Sequence, residues 1–259
     1  MSLVCIVGDG CTTTALGIAA AWPQPEPAMV AEFDPAGGCL AAWLDLPRSP
    51  GLAEVVASSS PGSWPAIEAA VQRSASGVDV LLAPTRAIEA AAVVHAASTF
   101  VLPVLAALDS PVVVVADGGR LRGALSPLVN YASIVVIAHR QNSGSAAAAT
   151  LGLERVAELA SLMAARSIPV FVALIGERPY SAAELAEFVE ADTVVALPDD
   201  PWAAAILAGR AGSTVRLRRS PLMRSFTELA AVISARSRQL GLGAYLPSSF
   251  GTPWVDDRS

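Results

Sequence analysis

The chain has 259 residues, of which 53% are apolar and only 15% are charged, and its formal net charge is −6 at pH 7. This length is enough for one large α/β domain without disulfide or metal staples, and the composition excludes intrinsic disorder. All 17 basic residues are arginines, so mechanisms that need a lysine amine are excluded. The net charge also argues against a chain built wholly around nucleic acid.

The cysteines and the N-terminal segment predict where the protein works. Cys5, Cys11 and Cys39 are odd in number, widely spaced and set in apolar stretches, which is typical of reduced thiols. The first apolar run follows no basic region, and the longest apolar stretch is broken by prolines and an aspartate. We therefore expect a cytoplasmic protein without a transmembrane segment, with recruitment to the inner face of the membrane left open.

Short β-branched runs alternate with Ala-rich helical segments along the chain. Because the runs are continuously apolar, both faces of the sheet should be covered, and the alternation predicts a doubly wound, mainly parallel α/β sheet of about seven strands. The predicted strands are 3–7, 28–33, 78–83, 111–116, 134–138, 170–175 and 194–197; the predicted helices are 12–22, 38–44, 88–108, 121–130, 146–166, 182–190 and 203–209.

The stretches 58–64 and 141–145 are predicted to be loops, and neither is long or polar enough to link two domains. We therefore expect one domain over residues 3–241. Residues 242–259 lack helical periodicity and form a predicted C-terminal tail.

A glycine loop follows the first predicted strand. Its residues are Gly8, Asp9, Gly10, Cys11, Thr12, Thr13 and Thr14. In such sheets, anions bind at the carboxyl ends of strands, where a helix N-terminus offers free N–H groups. The usual phosphate-loop pattern fails here because Cys11 stands where a lysine is required. A plain turn with Thr12 as helix N-cap is the alternative.

Three acids end predicted strands at the same edge. Glu32 and Asp34 close the second strand on one side, and Asp117 closes the run of valines at 112–115. A hydrophobic strand that ends in aspartate is how phosphate-loop proteins hold Mg²⁺ through water. Helix N-capping is the alternative for each acid taken alone.

Together these segments resemble the ParA/MinD-type P-loop proteins, in particular an actinobacterial MinD-like subgroup with a degenerate Walker A loop. The matching pieces are the loop that ends in Thr12-Thr13-Thr14, the Glu32-x-Asp34-Pro-Ala-Gly-Gly segment, Arg178-Pro179-Tyr180, and Pro198-Asp199-Asp200-Pro201. The resemblance covers residues 3 to 235 and implies a P-loop NTPase fold.

The resemblance also implies roles for single residues. It puts the family's signature lysine on Ile6, the next glycine on Val7, the phosphate-binding lysine on Cys11 and the magnesium-binding hydroxyl on Thr12, so both lysines are lost. It implies nucleotide contacts at Gly8, Asp9, Gly10, Cys11, Thr12, Thr13, Pro198 and Asp199, catalytic acids at Glu32 and Asp34, and metal ligands at Thr12 and Asp117. Arg120, Arg122 and Arg140 are candidate substitute cations.

A basic segment near the C-terminus is the remaining candidate site. Arg216, Arg218, Arg219 and Arg224 lie in a region with one acid, Glu228, in an otherwise acidic protein. These arginines are predicted to contact an anionic partner, with a solvated helix face as the alternative. Leu222, Phe226, Leu229, Val232 and Ile233 have helical spacing, so the helix should pack on the sheet and present its arginines outward.

The resemblance and the basic segment together imply three candidate functions. The first is a degenerate, catalytically weak or inactive module that positions or regulates a membrane-associated pilus or secretion machine. The second is an ATPase dimer switch that uses Mg-ATP and an arginine in place of lysine. The third is a non-specific DNA-binding partition protein.

Because mean hydropathy is +0.52 and members of the family pair across their nucleotide loops, we expect a homodimer or a hetero-complex with a protein partner. ATP or ADP with Mg is a doubtful cofactor on this sequence.

Overall fold

The computed structural model describes residues 3–23, 28–108, 110–115, 127–141, 144–210 and 214–240. The strands are β1 (Leu3–Gly8), β2 (Met29–Glu32), β3 (Gln72–Arg73), β4 (Asp79–Leu81), β5 (Val112–Val115), β6 (Ile134–Arg140), β7 (Val170–Ile175) and β8 (Thr193–Leu197). They form one sheet in the order β3-β4-β2-β5-β1-β6-β7-β8. All neighbours are parallel except β3 and β4. The predicted doubly wound, mainly parallel α/β fold is confirmed, with β3 as an added edge strand of two residues.

The helices in the described part of the chain cover both faces of the sheet. They are α1 (Cys11–Ala20), α2 (Leu40–Trp43), α3 (Leu52–Ala57), α4 (Trp64–Ala70), α5 (Ala87–Phe100), α6 (Leu102–Ala107), α7 (Ala146–Ala164), α8 (Ala182–Phe188), α9 (Pro201–Leu207), α10 (Thr214–Arg218) and α11 (Pro221–Gln239); residues 127–131 are also helical.

Alternate strand residues enter two separate cores, which explains the continuously apolar strands. In β1, Val4 and Ile6 pack in the core that holds α1, α9 and α11, whereas Cys5 and Val7 pack in the core that holds α3 to α8. Burial on both faces therefore favours an apolar residue at each position of a central strand.

Two segments differ from the sequence expectation, and a third is described only in part. The predicted helix 88–108 is divided into α5 and α6 at Val101, because Pro103 is placed in the first turn of α6, where its missing N–H costs nothing. Residues 45–77 contain α3, α4 and β3, which are too short for periodicity to reveal. Only part of the predicted helix 121–130 lies within the described residues.

The C-terminal helix α11 packs as its spacing predicts. Leu222, Phe226, Leu229 and Ile233 are buried against the sheet, and Phe226 lies against Gly17 of α1. Val232 differs from the expectation because it is 41% exposed. Its place on the helix lies beside the buried stripe, not within it.

Candidate functional site

The glycine loop joins β1 to α1 with only Asp9 and Gly10 between them. Gly8 and Gly10 have φ angles of +102° and +92°. A Cβ at Gly8 would collide with the backbone oxygen of Ala138, and one at Gly10 would collide with Ile175. Both positions therefore require glycine, and the loop is held closely against β6 and β7.

The segment before Asp9 is strand, not loop. Strand β1 pairs with β6 as far as Gly8, which lies opposite Ala138. Ile6 and Val7 are buried in the two opposite cores. These are the residues at which the resemblance puts the signature lysine and the following glycine. Both residues therefore lie in paired, buried strand and not in the loop.

The start of α1 carries the remaining loop residues. Gly10 is the N-cap of the helix, so the alternative that Thr12 caps it is wrong. Cys11, the first helical residue, is 7% exposed. Thr12 and Thr13 are partly exposed, and Thr12 Oγ1 lies 3.5 Å from Cys39 Sγ. Thr14 is buried and donates from Oγ1 to the Gly10 carbonyl at 2.9 Å.

The Glu32 carboxylate binds backbone groups from two neighbouring segments. Its Oε1 accepts the N–H groups of Cys39 and Leu40 at 2.6 and 2.9 Å, and its Oε2 accepts the N–H of Ala83 at 3.1 Å. Burial raises the pKa of Glu32 above its ordinary value, while these three N–H groups act in the opposite direction. The side chain thus joins the start of α2 to the end of β4. Its predicted catalytic role stays a prediction.

Asp34 lies two residues beyond β2 and is partly exposed. Its Oδ1 accepts the N–H of Ala36 at 2.8 Å, which forms a local turn. Asp117, the predicted metal ligand, lies outside the described residues, as do Arg120 and Arg122. Within the described residues, no group of three or more His, Cys, Asp or Glu side chains is placed to hold a metal ion.

The end of β6 brings two residues to this edge: His139, to which sequence analysis gave no role, and Arg140, a candidate substitute cation. His139 is half-buried, and burial lowers its pKa while the nearby Asp9 charge opposes that change. Arg140 forms an ion pair with Asp199, at the start of the loop after β8. Only the pairing of β1 with β6 could reveal these neighbours, because 130 residues of chain separate Asp9 from His139.

Gln141 fixes the loop after β7. Its Nε2 donates to the carbonyls of Gly176 and Tyr180 at 2.8 Å each, and its Oε1 accepts the Tyr180 N–H at 2.8 Å. All polar groups of the amide are therefore used to hold the Arg178-Pro179-Tyr180 segment. No local sequence signal marks Gln141 for this role.

The Pro198–Asp200 segment follows β8 at the same edge of the sheet. Asp200 caps α9, with Oδ1 accepting the Ala203 N–H at 2.9 Å. Asp199 is turned toward Arg140, one of the cations that sequence analysis proposed as a substitute for lysine. The structure therefore brings Asp199 and Arg140 together, and both side chains are about half exposed.

The predicted partner-binding arginines lie on α10, on α11 and between them. Arg216, Arg218, Arg219 and Arg224 are all exposed, and Arg224 donates to the Arg219 carbonyl at 3.2 Å. The role of these four side chains stays a prediction. No helix in the described ranges combines the length and apolar character needed to cross a bilayer.

Comparison with protein-family models and with curated proteins gave no match. The fold, in contrast, is similar to solved structures. MinD complexed with Mg-ADP from Pyrococcus horikoshii OT3 superposes with a TM-score of 0.67 at 14% identity, covering 95% of this chain and 100% of that chain. A ParA family ATPase from Chlorobium tepidum TLS gives 0.65 at 14% identity, covering 89% and 97%. A chain of the MinC:MinD cell division complex of Aquifex aeolicus gives 0.66 at 13%, covering 90% and 96%.

These similarities define the class of fold. The eight-stranded, mostly parallel sheet with helices on both faces is the α/β fold of the ParA/MinD P-loop NTPases. At these identities the comparisons show the fold alone. Function has to be argued from the residues at the carboxyl edge of the sheet.

Proposed function

We propose that this chain is a degenerate ParA/MinD-like module, of the actinobacterial MinD-like kind, that binds nucleotide weakly and hydrolyses it very slowly or not at all. One observation carries the proposal: Ile6 and Val7 are buried strand residues, and Cys11 stands where the resemblance requires the phosphate-binding lysine. A phosphate loop works by surrounding phosphates with free backbone N–H groups and a lysine. This chain retains only Asp9, Gly10 and the start of α1 for that purpose.

The charges near the loop support weak binding. Asp9 adds a negative charge at the loop itself, and the chain has no lysine. A cation on the transferring phosphate is worth about 10³ to 10⁵ in rate, so hydrolysis without one should be very slow. The function that remains is recognition: the module works in the cytoplasm, is recruited to the inner face of the membrane, and positions or regulates a pilus- or secretion-type machine through a protein partner.

A nucleotide-dependent switch is the second candidate, and Arg140 is the observation that favours it. Arg140 ends β6, the strand beside β1, and its ion pair with Asp199 is exposed on both sides. An exposed pair is worth about 0 to 1 kcal/mol, so phosphate could draw Arg140 away from Asp199. Thr12 and Asp34 would then complete a Mg-ATP site together with Asp117.

Calorimetric titration with Mg-ATP and Mg-ADP tests the proposal. We expect a Kd weaker than about 10 µM for the native chain. The Cys11→Lys variant should bind more tightly, because it adds the missing cation at the first residue of α1, whereas the control Cys11→Ala should not. A native Kd tighter than about 10 µM that is lost in Arg140→Ala would establish the switch instead.

A further inference from the structure

A cleft of about 430 Å³ opens at the edge of the sheet opposite the glycine loop. It is lined by the last residue of α1, Ala20, by the turn before β4, and by the end of α9 and the start of α11. Because α1 and α9 both begin at the carboxyl edge and run away from it, their last residues mark the other edge. The cleft is therefore separate from the candidate nucleotide site.

The cleft combines an apolar floor with a basic rim. Ile206, Leu207, Leu217 and Met223 line the floor and are each less than a tenth exposed. Arg210 and Arg218 line the rim and are exposed. Within the described residues, neither guanidinium has a carboxylate partner. Such a site suits a ligand that has an apolar group next to a pair of negative charges.

The chain itself contains a segment of that chemistry. Trp254 and Val255 are followed directly by Asp256 and Asp257, beyond the described residues. Arg258 comes next, so the acidic pair has its apolar neighbours on one side only.

The segment is long enough to reach the cleft in the same molecule. The cleft lies at Met223, near the start of α11, so a chain that leaves the end of this helix at Gln239 must return over roughly 24 Å. The fourteen residue-to-residue steps from Leu240 to Trp254 can span about 46 Å when extended.

We infer that the segment 254–257 binds in this cleft, with Trp254 and Val255 on the apolar floor and Asp256 and Asp257 beside Arg210 and Arg218. A bilayer is a poorer occupant, because membrane insertion needs apolar side chains that project, and those of the floor are recessed. DNA is a poorer occupant because an apolar floor offers nothing to phosphates. The inference does not depend on nucleotide binding.

Hydrogen–deuterium exchange on the full chain tests the inference. In the native protein, exchange at residues 254–257 should be slowed at least about fivefold relative to an Asp256→Arg/Asp257→Arg variant. The Arg210→Glu/Arg218→Glu variant should lose the same protection. Combining both pairs of substitutions should restore it, because the charges are again complementary. Protection that does not change with protein concentration identifies binding within one molecule.

A matched control uses two exposed arginines of α7 and of the turn that follows it. The Arg155→Glu/Arg166→Glu variant makes the same change in net charge away from the cleft and should leave exchange at 254–257 unchanged. Thermal unfolding of each variant checks that the fold is intact. Fast exchange at 254–257 in the native chain, or exchange that the charge reversals leave unaltered, would overturn the inference and leave the cleft to an acidic segment of another protein.

Discussion

Gly8 and Gly176 share a left-handed backbone but differ in their surroundings. Their φ angles are +102° and +95°. A Cβ at Gly8 would collide with the Ala138 carbonyl, whereas a Cβ at Gly176 would meet no atom within 4 Å. Substitutions at these two positions therefore distinguish the cost of backbone strain from the cost of a steric collision.

Gly8→Ala is expected to destabilise the protein by more than Gly176→Ala. Strain at an unfavourable φ costs about 1 to 3 kcal/mol and applies to both variants, while the collision with β6 applies to Gly8 alone. Chemical denaturation measures both free energies of unfolding. Equal losses would mean that β6 moves aside without cost and that the loop is not held against it.

Glu32 is a buried carboxylate whose hydrogen bonds join two loops, so its removal should affect stability. In Glu32→Gln, the amide NH₂ would face either the Ala83 N–H or the two N–H groups at the start of α2. A buried donor left without an acceptor costs about 1 to 3 kcal/mol. The control is Glu184→Gln, because Glu184 also accepts backbone and hydroxyl donors but is fully exposed, and we expect little change there.

The stability contributed by Glu32 should also depend on pH. Burial raises its pKa in the folded state, so the folded protein holds this proton more tightly than the unfolded chain does. The resulting stability is complete below a pH of about 4.5 and is lost as pH rises through the higher folded pKa. The advantage of the native chain over Glu32→Gln should therefore shrink as pH rises above about 4.5. An advantage that grows with pH would mean that the three N–H groups outweigh burial.

At the scale of elements, α10 and α11 carry basic side chains outward while the apolar stripe of α11 is buried. Arg216, Arg218, Arg219 and Arg224 therefore form a basic surface on an acidic protein. DNA, an anionic membrane and an acidic protein could each bind there, and they differ in how binding responds to salt. We favour the protein, because net repulsion works against long polyanions.

Replacing these four arginines with alanine tests the surface. DNA binding would fall with salt with a log-log slope of about −0.9 per neutralised phosphate and would be lost in the variant. Binding to an acidic protein would survive moderate salt, because apolar burial adds to the charge term. Arg48, Arg86, Arg155 and Arg166, all exposed and outside α10 and α11, form the matched control set. Tight, steeply salt-dependent binding of duplex DNA by the native chain would contradict our preference.

At the scale of the whole molecule, large apolar side chains are exposed beside the carboxyl edge. Ile88 is 90% exposed at the start of α5, and Trp202 is 46% exposed at the start of α9. Both helices begin at the edge that carries the glycine loop. This surface supports the prediction that the chain forms a homodimer or a stable hetero-complex.

Light scattering of the native chain at about 100 µM, together with an affinity pull-down, should show a dimer or a stable partner. The Ile88→Ser/Trp202→Ser variant should weaken that assembly. Leu162→Ser is the control, because Leu162 is equally exposed, at 46%, but lies near the far end of α7. A native monomer without a partner would contradict the prediction.

Much of the fold follows from local sequence. Continuous apolar runs that alternate with helical segments predict a parallel sheet covered on both faces, because only burial on both sides demands an apolar residue at every strand position. The loop at Gly8–Thr14 and the acids at Glu32 and Asp34 could be placed at one edge, because each follows or ends a parallel strand at its carboxyl end. The short elements α3, α4 and β3 could not, because two to seven residues show no clear period.

The strand order determined which residues surround the glycine loop. It places β6 next to β1, and so brings His139 and Arg140 to the glycine loop across 130 residues of chain. It also pairs β1 through Gly8, which turns Ile6 and Val7 from loop positions of the resembled family into buried strand. Sequence alone showed that both lysines are missing, because that is a matter of residue identity. That Ile6 and Val7 are buried strand residues depends on which strands are neighbours, and only the packed sheet determines that.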